Sequence, residues 1–212
     1  MKVYNLRICI IDYGLGNIAS IFNAMKNIGA DPIVSDEEAI IKNSSHLILP
    51  GVGSFKKGMQ ELQDRRLDEI LNHEVINNKK PILGICLGMQ LFATTSYEGG
   101  LCKGLNWIEG NVTRINNNLT DLRVPHIGWN NVEVKSSSQL LNNEIDTHCY
   151  FVHSYHFNAD NSNDITGKCF YGDDITAIVE KGNIYGVQFH PEKSHETGLK
   201  ILKNFISINV KN

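Results

Sequence analysis

The sequence predicts one α/β domain over residues 1–212, with a central parallel sheet, helices on both of its faces and an added set of antiparallel strands. In the first half, short apolar runs alternate with segments whose apolar residues recur every three to four positions, the pattern of a parallel sheet with helical crossovers. Between about residues 99 and 186 the apolar runs are shorter and turn-rich stretches separate them, which favours antiparallel strands. The 212 residues, 42% of them hydrophobic, are enough to bury a full core.

The first half contains four predicted strands and the helices that join them. The strands are expected at residues 6–11, 31–35, 46–50 and 81–85, and the short apolar run at 6–11 suits a strand buried on both faces. The first helix is expected to begin after Asn17 as N-cap and to end at Gly29. Apolar stripes between residues 55 and 75 predict two more helices, and another is expected from about residue 87 to 95.

The second half is predicted from its turns and its last helix. Polar, turn-forming residues cluster at 116–118, 136–138 and 158–164, between short strands. The chain then ends in an amphipathic helix with Ser194 as the expected cap. The residues of that helix predicted to face the core are Leu199, Leu202, Phe205 and Ile206.

Composition excludes several classes of function. A net charge of -3 gives no basic surface for nucleic acid or for an anionic membrane. No apolar run approaches the roughly 20 residues that span a bilayer, and the N-terminus lacks a signal-peptide core. Five cysteines without close pairing favour reduced thiols in a cytoplasmic protein. No spacing suits a metal site, and no cofactor is expected.

Cys86 is the first candidate for chemistry. It follows a short apolar strand and lies between Gly84 and Gly88, the G-x-C-x-G spacing of a nucleophile elbow, in which a sharp strand-to-helix turn requires small neighbours. Such a turn places the sulfur at the carboxyl edge of the sheet, where open α/β folds bind ligands. The following helix N-terminus favours the thiolate, the form that attacks carbonyl carbons. Most free cysteines are simply buried, which is the interpretation for Cys9 and for the other three.

His190 and Glu192 supply a candidate base and its orienting acid. Residues two apart on an extended segment share a side, so Glu192 can reach one imidazole nitrogen and leave the other for Cys86. Pro191 favours an extended conformation at residue 190. The alternative is a surface His-Pro turn with a solvated glutamate. His153, in an apolar strand, is interpreted as a core histidine.

An acyl-transfer site also needs donors for the oxyanion. The backbone N–H of Leu87 is one candidate, and the Gly51-Val52-Gly53 turn after the third strand is the other. A plain strand-to-helix turn is the alternative for that segment. The glycines of residues 12–17 lack the third glycine of a dinucleotide fingerprint, which favours a tight turn and an N-cap.

In order along nearly the whole chain, the segments resemble those of the class I, triad-type glutamine amidotransferases, and more closely the glutaminase subunits of imidazole glycerol phosphate synthases. The segments that carry the resemblance are residues 12–17, 50–55, 84–90, 125–130, 150–155 and 186–194. The resemblance implies a flavodoxin-like fold. It also implies hydrolysis of L-glutamine to glutamate, with ammonia passed to a (β/α)₈-barrel synthase subunit in a heterodimer of histidine biosynthesis.

The resemblance also implies a role for each matching residue. Cys86 would form the glutamyl thioester, with His190 as the proton carrier and Glu192 as its orienting acid. The implied oxyanion and glutamine-binding residues are Gly51, Val52, Gly53, Leu87, Gln90, Ser154 and Tyr155. The implied partner-interface residues are Asn17, Trp129, Tyr150 and Lys193.

Three alternatives remain open at this point. The run Glu192–Lys200 resembles a paralogous branch that supplies ammonia to amidotransferases building surface sugars. A catalytically silent subunit that only docks a partner would keep the fold without the chemistry. A stand-alone thiol hydrolase acting on γ-glutamyl amides would need no partner.

Overall fold

The computed structural model describes residues 6–116, 122–135, 137–141 and 147–208. Within these ranges the helices lie largely in the first half and at the end of the chain. They are α1 (Ile18–Asn27), α2 (Glu38–Asn43), α3 (Phe55–Asp64), α4 (Leu67–Asn72) with a π-helical turn at His73–Asn77, α5 (Leu87–Gln90), a 3₁₀ turn at Pro191–Lys193, and α6 (His195–Ile206). The strands are β1 (Ile8–Ile11), β2 (Ile33–Ser35), β3 (His46–Leu49), β4 (Ile82–Ile85), β5 (Thr95–Ser96), β6 (Cys102–Lys103), β7 (Gly110–Arg114), β8 (His126–Asn131), β9 (Glu133–Val134), β10 (His148–His153), β11 (Tyr155–Ala159), β12 (Ile165–Phe170), β13 (Asp174–Lys181) and β14 (Ile184–Val187).

The central sheet confirms the predicted α/β architecture. In the described part of the chain it has eight strands in the order β2-β1-β3-β4-β14-β13-β12-β9. Strands β2, β1, β3, β4 and β14 pair in parallel, whereas β13, β12 and β9 continue the sheet in antiparallel fashion. The parallel strands begin in the order of flavodoxin-like sheets, 2-1-3-4. The central strands β1, β3, β4 and β14 are fully buried, as their continuous apolar sequences predict.

Two apolar clusters lie against this sheet. One contains the buried side chains of α1 and α6, including Met25, Leu202 and Phe205. The other contains those of α3 and α4, including Phe55 and Leu71. Alternate residues of a strand point to opposite faces, and β1 accordingly contributes Ile8 and Ile10 to the first cluster and Cys9 and Ile11 to the second. The sheet is therefore covered on both faces, and its strand ends remain available for a site.

Two small sheets complete the second half. Strands β8 and β10 form an antiparallel pair, and β11, β7, β5 and β6 form a four-stranded sheet. The antiparallel prediction for this half holds except at two pairings: β7 pairs in parallel with β5, and β14 pairs in parallel with β4. Residue 136 and residues 117–118 of the predicted turns lie outside the described residues, as does most of the 116–121 segment.

The helix expected from residue 87 to 95 ends at Gln90, so that prediction is wrong in length. The reason is competition for backbone carbonyls. The carbonyls of Leu91 and Phe92 accept bonds from the N–H groups of Leu105 and Trp107, both at 2.9 Å, which holds this segment against the following loop. The chain is then free to enter β5 at Thr95.

Two expected caps also differ. Asn17 and Ser194 occupy the N-cap positions of α1 and α6, but neither side chain makes a capping bond. The Ser194 hydroxyl instead donates to the carbonyl of His190 at 2.7 Å and accepts from the N–H of Tyr150 at 3.0 Å. Through these two hydrogen bonds, Ser194 links the His190 segment to β10.

Candidate active site

Cys86 lies at a sharp turn between β4 and α5. Its backbone has φ 54 and ψ -111, a region that costs a residue with a side chain about 1 to 3 kcal/mol. Its N–H donates to the carbonyl of Val187 at 2.8 Å, and its carbonyl accepts from Met89 at 3.1 Å. The predicted nucleophile elbow is therefore present, and the side chain is lifted to the carboxyl end of the parallel strands.

The two flanking glycines are needed because backbone and ring atoms leave no room for a side chain. A Cβ on Gly88 would lie 1.9 Å from the carbonyl oxygen of Leu49, and one on Gly84 would lie 2.6 Å from Cζ of Phe92. Both distances are far below van der Waals contact. The G-x-C-x-G spacing thus has the steric meaning that the sequence predicted.

His190 and Glu192 form a buried pair beside Cys86. The imidazole Nδ1 lies 2.8 Å from Glu192 Oε1, and the side chains are 3% and 0% exposed. Residue 190 is extended, as predicted, but Pro191–Lys193 is a 3₁₀ turn, so the fully extended segment expected from the sequence is wrong. The turn still brings the carboxylate to Nδ1. It leaves Nε2 buried without a hydrogen-bond partner, toward the cavity that Cys86 lines.

The surroundings of His190 favour its charged form. Burial lowers the pKa of the imidazole, but its electrostatic interactions with Cys86 and Glu192 outweigh burial and raise the pKa to about 9. An imidazole between a sulfur and a carboxylate is the arrangement of a cysteine nucleophile with its base and orienting acid. The group therefore holds a proton at neutral pH that it can donate to a leaving group.

A cavity of about 350 Å³ opens over the sulfur. That volume suits a small metabolite. The predicted residues that line it are Val52, Gly53, Cys86, Leu87, Gln90, Ser154, Tyr155 and His190. Gly51 does not line it: a Cβ there would lie 2.6 Å from the N–H nitrogen of Gly88, so Gly51 packs against the elbow itself.

Other residues of the cavity were not selected from the sequence. Glu98, Pro125, Val152 and His153 also line it. Glu98 follows β5 and accepts a bond from the N–H of Phe55 at 2.7 Å, which holds its carboxylate at the cavity wall. No sequence pattern marks Glu98, because the loop that carries it reaches the site only through tertiary packing. His153 is a buried strand residue, as interpreted, but it also contacts the cavity.

Two glutamine side chains lie at the nucleophile: Gln188 beside the sulfur, and Gln90 beside Gln188. Gln188 is fully buried, and its Nε2 lies 3.7 Å from Cys86 Sγ. Gln90 donates from Nε2 to the Tyr155 carbonyl at 2.8 Å and to Gln188 Oε1 at 2.9 Å. Gln188 was not predicted, although it lies two residues before His190, directly after the end of β14.

Aromatic and basic side chains cluster beside the cavity on β8, β10 and the start of α6. Trp129 is 41% exposed and its ring stacks on His195, with centroids 4.9 Å apart. Tyr150 packs edge-on against Trp129 at 5.9 Å, and Lys193 Nζ lies 5.7 Å from the Tyr150 ring centre. Three of the four predicted interface residues are thus neighbours. The fourth, Asn17, begins α1, which contacts the Pro191–Lys193 turn.

The described residues contain neither a metal-binding cluster nor a membrane-spanning helix. Among them, no cluster of three or more His, Cys, Asp or Glu side chains is arranged to hold a metal ion. In the same part of the chain, no helix is long and apolar enough to cross a membrane.

An elbow cysteine, a buried histidine–carboxylate pair and a small cavity on a flavodoxin-like sheet form an arrangement that suits acyl transfer by a thiol. The family model of the class-I glutamine amidotransferases matches residues 9–208. The chain is 44% identical over 209 residues to the imidazole glycerol phosphate synthase subunit HisH 2 of Nitrobacter winogradskyi, covering 96% of this chain and 99% of that protein. It is 46% identical to the HisH subunit of a Geobacillus species, over 94% and 95% of the two chains. The chain therefore belongs to the class-I glutamine amidotransferases and, among them, to the family of imidazole glycerol phosphate synthase HisH subunits.

Solved structures agree on the fold. A structure described as a glutamine amidotransferase superimposes with a TM-score of 0.73 at 17% identity, covering 94% of this chain and 97% of that one. PurLQS from Thermotoga maritima gives a TM-score of 0.70 at 17% identity, covering 96% and 99%. At such identities the likeness concerns the fold alone.

Proposed function

We propose that this chain is the glutaminase subunit of an imidazole glycerol phosphate synthase and that it hydrolyses L-glutamine to glutamate and ammonia at Cys86. The observation that carries the proposal is the strained elbow cysteine beside the buried His190–Glu192 pair, at the floor of a cavity of about 350 Å³. The family relationship supplies the substrate class. The stand-alone hydrolase and the silent subunit are the alternatives that the experiments address.

The first half of the reaction forms a thioester. The Cys86 thiolate attacks the side-chain amide carbon of glutamine, and the electron pair of the C=O bond moves onto oxygen. The Leu87 N–H and the Gly51–Gly53 turn are the proposed donors for that oxyanion, supported by the positions of Leu87, Val52 and Gly53 at the cavity. Collapse of this intermediate breaks the C–N bond. His190 gives its proton to the nitrogen, which leaves as ammonia.

The second half releases glutamate. Water attacks the thioester carbon, neutral His190 accepts its proton, and the C–S bond breaks to restore the thiolate and imidazolium. Glu192 keeps the imidazole oriented in both halves through the 2.8 Å bond to Nδ1.

The cavity wall suits the backbone end of glutamine. Glu98 places a carboxylate there, which complements the α-ammonium group of an amino acid. Ser154 and Tyr155 lie on the same wall and offer polar atoms for the head group. Gln90 commits its amide N–H donors to protein acceptors, so its contribution is to hold this wall rather than to donate to glutamine.

Ammonia would pass to a (β/α)₈-barrel partner docked over the cavity, in a heterodimer that makes imidazole glycerol phosphate and an aminoimidazole carboxamide nucleotide for histidine biosynthesis. Free ammonia at neutral pH is mostly protonated and no longer nucleophilic, so enclosed delivery preserves it. The exposed apolar side chains Ile127 and Trp129 on β8 support a docking face, since they are 60% and 41% exposed and Ile127 pairs across the strands with Val152 of the cavity wall. We place this complex in the cytoplasm.

The test measures glutamate release with and without the barrel synthase subunit. Cys86→Ala should abolish release in the complex, whereas Cys102→Ser, a matched change at a partly exposed cysteine, should keep the parent rate. Full turnover by Cys86→Ala would contradict the proposal. Full activity of the parent without any partner would favour a stand-alone hydrolase, and no labelling of Cys86 by a glutamine-like diazo-ketone would favour a silent subunit.

The identity of the partner is tested separately by co-purification. A phosphate-binding barrel should be recovered with the parent, and Trp129→Ala should weaken its binding without changing the free subunit's melting temperature. Recovery of a sugar amidotransferase instead would show that the paralogous branch suggested by residues 192–200 is the correct one.

A further inference from the structure

Two buried histidines lie beside the cavity, and the hydrogen bond between their rings can run in only one direction. His126 on β8 and His153 on β10 are cross-strand partners, with 3.1 Å between His126 Nδ1 and His153 Nε2. His153 Nδ1 lies 2.9 Å from the Tyr155 carbonyl, which can only accept, so His153 carries its hydrogen on Nδ1. Its Nε2 must then accept from Nδ1–H of His126. The remaining His126 Nε2 accepts from Asn130 Nδ2 at 3.5 Å.

The Tyr155 carbonyl also fixes the orientation of the Gln90 and Gln188 side-chain amides. The Tyr155 oxygen also accepts from Gln90 Nε2 at 2.8 Å, and the flipped amide would place two oxygens against each other. Gln90 Nε2 further donates to Gln188 Oε1 at 2.9 Å. The other end of that amide, Gln188 Nε2–H, must therefore point at Cys86 Sγ, 3.7 Å away.

We propose that Gln188 positions the nucleophile and stabilises its thiolate through this N–H donor. The Tyr155 carbonyl, through Gln90, sets the direction of the Gln188 amide, and the histidine pair holds that carbonyl in place. We call the whole set the Asn130–Gln188 network; its members are Asn130, His126, His153, the Tyr155 carbonyl, Gln90 and Gln188. Charge-assisted hydrogen bonds are stronger than neutral ones, so the donor favours the anionic sulfur over the thiol. The proposal rests on the proposed function only for what the thiolate then does.

The network requires both histidines to be neutral, because a second proton on His153 would face the N–H of His126. Burial lowers the pKa of His126 to about 4 and, as the largest effect, that of His153 to about 3. The His126 ring is further held between Tyr171, with ring centres 3.9 Å apart, and Phe151, at 4.8 Å. The titratable groups that surround the pair are Tyr155, Tyr171, His156, His190, Cys86 and Glu98. Burial is thus the main reason that the pair stays uncharged through the neutral range.

The first test reads the tautomers directly. Nitrogen-15 imidazole NMR of the full-length protein should show His126 and His153 as neutral Nδ1–H tautomers from about pH 5 to pH 8. Free neutral imidazoles favour Nε2–H, so the expected result is not the default. Either ring in the Nε2–H form would overturn the network.

The second test measures the alkylation rate of Cys86 by iodoacetamide, followed by mass spectrometry of its peptide at pH 7. Gln188→Met keeps the length and loses the donor, and alkylation should slow about tenfold. Asn130→Asp replaces the donor to His126 with an acceptor, which draws the His126 hydrogen to Nε2 and the His153 hydrogen away from Nδ1; it also removes the bond from Asn130 to the Phe170 carbonyl. His153 Nδ1 and the Tyr155 carbonyl then face each other as two acceptors, the carbonyl shifts away from Gln90, and alkylation should slow threefold or more. Asn131→Asp is the matched control on the same strand, with an exposed side chain, and should keep the parent rate.

Coupling between the variants separates a network from local damage. Asn130→Asp combined with Gln188→Met should be no slower than Gln188→Met alone, because the donor it orients is already gone. In the glutaminase assay kcat should fall in parallel while KM stays within about twofold. Additive losses, or Asn130→Asp behaving like Asn131→Asp, would overturn the proposal, and Asn130→Asp decides it even if Gln188→Met fails to fold. Because alkylation needs no glutamine, these results hold even if the parent shows no glutaminase activity.

Discussion

Gly88→Ala should collapse the elbow, and the structure gives the size of the effect. The new Cβ would lie 1.9 Å from the Leu49 carbonyl oxygen and 2.9 Å from its carbonyl carbon, whereas carbon–oxygen contacts normally exceed about 3 Å. Backbone atoms of a buried strand cannot rotate away, so α5 and Cys86 must move by about 1 Å. Overpacking costs about 1 to 3 kcal/mol where side chains can adjust, and we expect at least about 3 kcal/mol here. For a chain of this length that is about 6 to 12 °C in Tm.

The assay combines calorimetry with glutamate release. A displacement of about 1 Å at a reacting atom is worth about 100-fold in rate, so activity should fall by that order even below the melting transition. Gly58→Ala in α3 is the matched control: its Cβ would meet only the mobile ends of Leu91 and Leu87, at 3.1 and 3.3 Å. That change should shift Tm by no more than about 3 °C. A Gly88→Ala protein with parent Tm and parent turnover would refute the steric account of the elbow.

Three further predictions concern the triad, a buried ion pair and the turn beside the elbow. Glu192→Gln should lower the pKa of His190 from about 9, which imidazole NMR can follow. The raised pKa stabilises the parent's folded state fully below pH 6.5, and this contribution is lost as the pH rises through about 9; it should be smaller in the variant. An unchanged His190 titration would contradict the pairing. Glu74→Ala should lower the free energy of unfolding in urea by about 3 to 5 kcal/mol, because it leaves Lys80 buried without the carboxylate 2.7 Å away. Asp31→Ala breaks an exposed pair of the same length with Lys26 and should cost less than about 1 kcal/mol. Equal losses would argue against burial as the cause. Tyr13→Phe removes the 2.7 Å bond to the Pro50 carbonyl and should lower the free energy of unfolding in urea by about 1 to 3 kcal/mol. It should also slow glutamate release, since Pro50 leads into the Gly51–Gly53 turn. Parent stability and parent turnover together would contradict a role for Tyr13 in holding that turn.

The triad could be predicted because its chemistry is encoded locally. Gly84, Cys86 and Gly88 specify the turn by their spacing alone, and His190 reaches Glu192 within three residues. Buried strands β1, β3 and β4 were predicted for the same reason, since continuous apolar runs need no tertiary information.

The remaining parts depend on contacts between distant segments. Glu98 reaches the cavity through a bond to the N–H of Phe55, 43 residues away, and Gln188 meets Gln90 across 98 residues. The short α5 depends on the loop at residues 104–108, which takes the carbonyls that a longer helix would need. A single sequence carries no local signal for these pairings. The role of each substrate-binding and interface residue therefore stays a prediction until it is measured.

The strain at Cys86 explains why so much of this site is tightly packed. A side chain at φ 54 persists only if its surroundings prevent relaxation. The Val187 and Met89 bonds hold the backbone of the turn, and the contact between Gly88 and the Leu49 carbonyl leaves α5 no room to move. These constraints place the sulfur but do not favour its charge. That second task falls to polar groups of fixed direction, and the Tyr155 carbonyl, which can only accept, gives the surrounding amides and imidazoles a single allowed orientation.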